Sequence, residues 1–342
     1  MTDAPGARAV GRDGMVRTRS DRRASWPHVR RGLVAAFFLV VTALLVLTAR
    51  DVEWREVGRA LRSYRPGTLA IALGVAAAGH LVYTTYDLLA RHYTGHQVPW
   101  PRVMGAAFVS YVVNLNLGAI IGAAGFRYRL YSRFGLGSGE ISRIMGFSIL
   151  TNWLGYLVLG GGVFTMGDIE LPSGWPTPSV TLRPLGVGMW LLASGYLVLC
   201  ASPRRTVRIR GVEVALPSVR LALVQIAVSS ASWVTIAAVA YILLGAQVPF
   251  LTVLGVQLLA AVAVVILHIP AGLGVLEAVY LFVLRRELPT AEILSALVAF
   301  RGVYYLAPVL PAVTVYLLLE SRSRHSTREP REPAAAAGRS HA

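Results

Sequence analysis

The chain has 342 residues, of which 55% are hydrophobic and only 15% charged, and its formal net charge is +16. Apolar runs of roughly 20 residues recur from end to end, which is the length that a helix needs to cross the hydrocarbon of a bilayer. This composition excludes a soluble globular domain. The runs are continuous and do not alternate with polar residues, which argues against a membrane β-barrel.

The positive charge comes from arginine alone, since all 33 basic residues are arginines. They concentrate in the tails and loops, as expected for cytoplasmic faces and for contact with anionic lipid. We therefore do not expect a nucleic-acid partner. The single cysteine, Cys200, lies in an apolar run, so neither a disulfide framework nor a cysteine metal site is predicted.

The N-terminal segment 1–31 contains eight arginines and three aspartates but few large apolar residues, which predicts a disordered cytoplasmic tail. An integral membrane domain is predicted over 32–318, followed by a second disordered, cytoplasmic tail over 319–342. Its first apolar run lacks a small-residue cleavage site, so we interpret it as an anchor. Full membrane spans are predicted at 33–49, 67–90, 143–165, 184–201, 221–244 and 291–318.

The apolar segment 103–126 is predicted to be a re-entrant hairpin. If it crossed completely, the arginine-rich loops 127–142 and 202–220 would lie outside the cell, against the positive-inside rule. A hairpin that enters and leaves at the cytoplasmic face removes this conflict. The break at its tip is assigned to the sequence Asn114-Leu-Asn116-Leu-Gly118.

A second re-entrant hairpin, entering from the outside, is predicted at 250–284, with its break at Pro270, Gly272 and Gly274. The predicted fold is thus an all-α polytopic bundle of six full spans and two hairpins, about eight membrane segments. Broken backbone at membrane depth is tolerated where it is buried or lines a cavity, as in transporters. The loop 50–66, with five arginines, stays on the outside in this arrangement and is predicted to be an interfacial amphipathic helix.

Ionisable residues in membrane segments are costly unless they face the protein interior. Glu277 is interpreted either as a helix cap paired with Arg301 or as a contact to a cationic head group, with a proton-carrying role as a variant. Arg127 and Arg129 are interpreted as membrane-edge anchors or as a phosphate clamp, since guanidinium matches phosphate geometry.

For two further pairs of residues, the sequence does not decide between a packing role and a functional role. His80 and Asp87, seven residues apart on one helix, either pack against neighbouring helices or form a proton relay. Tyr304 and Tyr305 either line a cavity or pack the bundle. No catalytic motif and no cluster with metal-ligand spacing is found, so we expect no enzymatic activity, no metal and no cofactor.

Three stretches resemble the transmembrane domain of the lysylphosphatidylglycerol synthase/flippase family: Gly125–Gly135 (GFRYRLYSRFG), Pro270–Glu277 (PAGLGVLE) and Arg301–Pro308 (RGVYYLAP). The resemblance covers roughly 33–318. It differs at Ala271, where the family often has glycine. The family likeness implies a lipid-handling domain in the bacterial cytoplasmic membrane. It does not imply aminoacyl transfer, which a separate soluble domain performs in two-domain members.

The leading functional hypothesis is that the protein binds or flips phospholipid or aminoacyl-phospholipid between leaflets. The alternatives are a proton-coupled transporter of a small solute and a non-transporting protein that docks a separate soluble lipid-modifying enzyme. Membrane phospholipids are the expected partners, and a second copy of the chain is a further candidate. The residues predicted to contact the head group are Arg127, Arg129, Glu277, Arg301, Tyr304 and Tyr305. The four charged residues match the polar positions of the family.

Overall fold

The computed structural model describes residues 55, 58–59, 62–118, 124–166, 182–203, 206–209, 212–267 and 272–326. These residues form α-helices and one small two-stranded ribbon. In chain order the elements are α1 (Pro66–Thr94), α2 (Trp100–Leu117), α3 (Arg127–Arg133), α4 (Ser138–Met166), α5 (Arg183–Ala201), β1 (Thr206–Ile209), β2 (Val212–Ala215), α6 (Val219–Leu243), α7 (Phe250–Leu267), α8 (Val275–Leu284), α9 (Thr290–Phe300), a π-helical turn (Arg301–Leu306) and α10 (Val309–Ser326).

Six helical segments in the described part of the chain are long and apolar enough to cross a membrane. All but one coincide with a predicted span, which confirms the all-α polytopic membrane fold. The exception is α7, which was predicted to be only one arm of a hairpin. The predictions that lie wholly or largely outside the described residues are the tail 1–31, the span 33–49, most of the loop 50–66 and most of the tail 319–342.

Both segments predicted to re-enter the membrane are broken helices. Within the segment 103–126, α2 ends at Leu117, residues 119–123 lie outside the described part, and α3 begins at Arg127, just beyond the predicted segment. The segment 250–284 consists of α7 and α8. However, α7 alone has 18 residues, or about 27 Å of helix, which is close to the hydrocarbon thickness of a bilayer. A helix therefore ends inside each segment, whereas the hairpins and the return of each segment to the same face stay predictions.

Glycines supply the backbone geometry of both breaks. Gly118 ends α2 with φ of +88°, and Gly272 and Gly274 precede α8 with φ of +59° and +78°. Residues with a side chain rarely adopt these values, because the Cβ atom collides with the backbone. Asn114 and Asn116, which were predicted to form the break, lie in the last turn of α2 before the helix ends, and Pro270 falls outside the described residues.

The last predicted span contains a π-helical turn that the sequence did not predict. The N–H of Ala307 donates to the carbonyl of Gly302, five residues earlier, at 2.8 Å. Pro308 follows directly and has no N–H to donate, so it cannot continue the ordinary α-helical pattern at this point. Beyond it, α10 continues to Ser326. Residues 319–326, which were predicted to belong to the C-terminal tail, are therefore helical, and the domain boundaries stay a prediction.

The β-ribbon lies in the arginine-rich segment 202–220 and was also not predicted. Its two antiparallel strands pair Thr206 with Ala215 and Ile209 with Val212. The hydroxyl of Tyr93, at the end of α1, donates to the carbonyl of Ala215 at 2.6 Å. This contact ties the segment to the same end of the bundle as the C-terminal end of α1.

Helices α4 and α6 are in close contact at Gly155. Its N–H donates to the hydroxyl of Ser229 at 3.0 Å, and a Cβ atom on Gly155 would lie 2.5 Å from the backbone nitrogen of Ser230. Small residues at such crossings let helix backbones meet in a membrane. Replacement of this glycine would therefore push two helices apart.

We expect Gly155→Ala to destabilise the protein by about 2–3 kcal/mol, the upper part of the range for overpacked sites. Thermal unfolding of the detergent-solubilised protein measures the effect. Gly146→Ala is the matched control on the same helix, since a Cβ there would meet nothing within 4 Å. Equal melting temperatures for the two variants would contradict the close crossing.

Candidate functional site

A cavity of about 210 Å³ lies where both broken segments meet the rest of the bundle. Asn114 and Leu115 reach it from the end of α2, and Gly272 and Leu276 border it at the second break. Helices α1, α4, α6, α7 and α9 and the π-helical turn complete its wall. The two interruptions predicted from the sequence therefore open onto one shared site.

We call this cavity the central cavity. Many of its lining side chains are aromatic rings or carboxamides. Its lining residues include no ionised side chain. The aromatic members are Tyr83, Tyr111, Trp233, Phe300, Tyr304 and Tyr305. The carboxamide members are Asn114, Asn152 and Gln257.

The rings of the central cavity are held by contacts with one another. Tyr83 and Tyr111 stack with ring centroids 3.6 Å apart, and the hydroxyls of Tyr111 and Tyr304 are hydrogen-bonded at 2.9 Å. Phe300 and Tyr304 lie parallel with centroids 5.4 Å apart. Such contacts restrict the rings to one arrangement, so this wall is preformed.

The three carboxamides differ in how they are satisfied. The side-chain oxygen of Gln257 accepts a hydrogen bond from the hydroxyl of Tyr280 at 2.7 Å. Within the described residues, the side-chain amides of Asn114 and Asn152 make no hydrogen bond, although the main-chain carbonyl of Asn152 accepts from Ser229 and Trp233. Two amide groups are thus available to a molecule in the cavity.

Glu277 and Arg301 form the ion pair that the sequence suggested. Nε of Arg301 lies 2.7 Å from Oε1 of Glu277, and Nη2 lies 3.1 Å from Oε2. The same carboxylate accepts the N–H of Gly274 at 2.9 Å and so caps α8. The structural interpretation of Glu277 therefore describes its observed contacts, while a head-group role for it stays a prediction.

This ion pair lies directly behind the wall of the central cavity. Arg301 also donates from Nη2 to the carbonyl of Gly272 at 3.1 Å, and its guanidinium lies 5.4 Å from the ring centroid of Tyr305. Both Gly272 and Tyr305 line the cavity. Arg301 and Glu277 are 16% and 24% exposed, so the pair is partly accessible.

Asn116 joins the first break to the π-helical turn. Its side-chain amide donates to the carbonyl of Val112 at 2.9 Å and to the carbonyl of Tyr305 at 3.1 Å. The π-helical turn is therefore bonded to the first break through Asn116 and to the second break through Arg301. A movement of one break changes contacts that the other break shares.

Arg127 and Asp87 form a second ion pair, fully buried between α1 and α3. Nε and Nη2 of Arg127 donate to the two carboxylate oxygens of Asp87 at 3.1 and 3.0 Å. Tyr131 donates to the same carboxylate at 2.9 Å, and Ser148 also donates to it. The side chains of Arg127 and Asp87 are 2% and 0% exposed.

This pairing changes the interpretation of both residues. An anchor at the membrane edge would be exposed, and Arg127 is not. Its guanidinium is bonded to a carboxylate of the protein, so a phosphate would have to displace Asp87. Both residues were predicted to be functional, Asp87 in a relay and Arg127 at the membrane edge or in a phosphate clamp, so their pairing was not predicted.

His80 lies apart from that network. Its Nδ1 is 2.8 Å from the carbonyl of Ala76, and its ring packs 4.7 Å from the ring of Tyr304 and 5.3 Å from that of Tyr111. The described hydrogen bonds of Asp87 come from Arg127, Tyr131 and Ser148, and none comes from His80. These contacts do not bring the two predicted relay residues together, and the relay stays a prediction.

Arg129 is at the edge of the bundle, where 51% of its side chain is exposed. It lies 3.4 Å from Glu320 of α10, which Arg133 also contacts at 2.7 Å. Arg129 therefore belongs to a peripheral cluster and does not line the central cavity. Of the predicted head-group residues, only Tyr304 and Tyr305 line it directly. Asn152 and Gln257 also line it and were not among the predicted site residues.

Comparison with known proteins agrees with this membrane architecture. Residues 33–312 match the family described as the lysylphosphatidylglycerol synthase TM region. The inner membrane protein YbhN of Escherichia coli is 44% identical over 301 residues, covering 87% of this chain and 95% of the relative. An uncharacterised protein of Synechocystis is 29% identical over 292 residues, covering 83% and 91%.

A phosphatidylglycerol lysyltransferase of Staphylococcus haemolyticus is 24% identical over 297 residues. The match covers 82% of this chain but only 32% of that enzyme. The similarity therefore concerns one part of the lysyltransferase. The family match spans most of the chain and both broken segments. The chain is a multi-pass membrane protein and belongs to the lysylphosphatidylglycerol synthase transmembrane-region family.

Proposed function

We propose that this protein binds the head group of a membrane phospholipid in the central cavity and moves the lipid between the leaflets of the bilayer. The observation that carries the proposal is the meeting of two broken membrane segments at one preformed cavity. Interrupted helices at a shared site are characteristic of transporters, because their free backbone ends and flexible joints serve binding and gating.

The charges near the cavity give the proposal its residue roles. Arg301 is partly exposed and contacts two lining residues, so its guanidinium is the candidate partner for a lipid phosphate. Glu277 holds Arg301 and the second break in place. Tyr304 and Tyr305 form the wall that the head group contacts. Arg127 acts in this scheme as a support for α3 through Asp87.

The relatives support a connection with phospholipid. Lysyltransferases that act on phosphatidylglycerol, according to their name, contain a region similar to this chain. We extend lipid handling to this protein, with phospholipid or aminoacyl-phospholipid as the cargo, and do not extend aminoacyl transfer to it. Its proposed location is the bacterial cytoplasmic membrane with both termini in the cytoplasm; the inner-membrane relative supports the membrane, and the arginine-rich loops support the orientation.

A cavity-filling substitution tests the proposal. Ala261→Phe places a ring in the central cavity, and we expect it to lower the rate of lipid translocation at least about tenfold, since the head group loses its space. The measurement is the movement of fluorescent phospholipid between leaflets of reconstituted vesicles. Val265→Phe is the control on the same helix, because Val265 is half exposed and does not line the cavity.

Two outcomes would contradict the proposal. One is a wild-type protein that moves none of the phospholipids tested, and the other is an Ala261→Phe variant that is folded and as fast as wild type. The second candidate, transport of a small solute, is favoured by the modest cavity volume of about 210 Å³. In that case Ala261→Phe would abolish solute uptake and leave lipid movement unchanged.

A further inference from the structure

We infer that the central cavity recognises the uncharged, hydroxyl-bearing part of a lipid head group, such as a glycerol or a sugar, in preference to an ammonium group. This inference rests on the proposed function, because it names the class of head group that the same cavity selects. It follows from the charge balance of the site and from the two amides without a partner.

The first observation is that the cavity offers no net charge to its ligand. Glu277 lies behind the cavity wall and Asp87 lies one helical turn after the lining residue Tyr83, and each is bonded to an arginine through two hydrogen bonds. An ammonium group that entered the cavity would lose its water without gaining a carboxylate partner. The aromatic rings would return only part of that loss through cation–π contact.

The second observation is the pair of amides that two different helices contribute to the lining. Asn114 is on α2 and Asn152 is on α4, and both face the cavity without a side-chain hydrogen bond within the described residues. A carboxamide offers both donors and an acceptor. A hydroxyl group also donates and accepts, so it satisfies either end of an amide, whereas an ammonium group satisfies only the oxygen.

The third observation concerns the shape of the lining around these amides. The stacked rings of Tyr83 and Tyr111 and the parallel rings of Phe300 and Tyr304 present flat faces and edges. The carbon skeleton of a polyol is apolar and packs against such faces, while its hydroxyls point to the amides. Charge, hydrogen bonding and shape therefore favour the same class of head group.

The test compares three fluorescent lipids with the same acyl chains in vesicles that contain the purified full-length protein. Phosphatidylglycerol carries the hydroxyls, phosphatidylpropanol has the same charge and nearly the same size without them, and phosphatidylethanolamine carries an ammonium group. We expect wild type to move phosphatidylglycerol about tenfold faster than each of the others, since a site with unsatisfied amides discriminates against a ligand that cannot bond them.

Asn114→Leu and Asn152→Leu each remove an amide and keep a similar volume. Each is expected to bring the ratio of the phosphatidylglycerol and phosphatidylpropanol rates toward one. Gln97→Leu is the matched control, because Gln97 is exposed in the loop after α1 and its amide is remote from the cavity lining. The ratio should be unchanged in this control.

The outcomes separate this inference from the function on which it rests. Equal wild-type rates for phosphatidylglycerol and phosphatidylpropanol, or a faster rate for phosphatidylethanolamine, would overturn the inference and leave lipid translocation intact. If wild type moves none of the three lipids, the proposed function fails and the inference fails with it. Because the wild-type ratios decide the matter, a variant that does not fold leaves the test valid.

Discussion

Replacing Asp87 with alanine is expected to destabilise the protein by about 3–5 kcal/mol, the usual cost of removing one partner of a buried ion pair. Asp87 is fully buried and accepts hydrogen bonds from Arg127, Tyr131 and Ser148. Without it, the guanidinium of Arg127 is left in the interior without its counter-charge. The melting temperature and the fraction of monodisperse protein after extraction in detergent measure the effect.

The reciprocal and double variants show whether the charge itself is responsible. Arg127→Ala should be similarly harmful, because it strands the carboxylate. The double variant Asp87→Leu with Arg127→Met should recover a large part of the loss, since an apolar pair of similar volume needs no compensation. Arg129→Ala is the control, because this arginine is half exposed and its contact with Glu320 is long, at 3.4 Å. A double variant no more stable than the single ones would argue against an isolated ion-pair effect.

Replacing Arg301 with alanine is expected to lower lipid translocation at least about tenfold, more than it lowers expression. The change removes both hydrogen bonds to Glu277 and the bond to the carbonyl of Gly272. It leaves a carboxylate at membrane depth without its cation, which is costly in a low-dielectric environment. The cavity wall at Gly272 and Tyr305 loses its support, and a lipid phosphate loses its candidate partner.

Glu277→Gln separates the cap from the charge. Glutamine can still accept the N–H of Gly274, so α8 should begin normally, but the charge-assisted contact to Arg301 is lost. Arg301→Lys keeps a cation without the planar, two-point geometry and should retain intermediate activity. Arg285→Ala at the end of α8 is the control, since Arg285 is exposed. Normal translocation by well-expressed Glu277→Gln and Arg301→Ala variants would restrict this pair to a structural role and remove it from the proposed mechanism.

Much of the architecture could be predicted because it depends on local properties of the chain. The spans 67–90, 143–165, 184–201 and 221–244 are continuous apolar runs whose length matches the bilayer. Gly118, Gly272 and Gly274 indicated the breaks because only glycine adopts their backbone angles readily. The pairing of Glu277 with Arg301 was also anticipated from two opposite charges in neighbouring apolar segments.

The remaining features depend on which segments meet, and apolar periodicity does not encode that. Arg127 is placed against Asp87 because the chain returns after the first break beside α1, so a residue read as an edge anchor lies in the interior. The extension of α10 to Ser326 brings Glu320 to Arg129 and Arg133, which draws these arginines to a peripheral cluster.

The central cavity is the clearest case. Its amides, Asn114 and Asn152, are far apart in the chain and read separately as ordinary polar residues of membrane helices. Only the packing of both breaks around the π-helical turn brings them to one space. Hydropathy and backbone preference depend on residues that are close in the chain, so the spans and the breaks could be predicted from the sequence. The cavity results from contacts between distant segments, whose free energies depend on the assembled bundle.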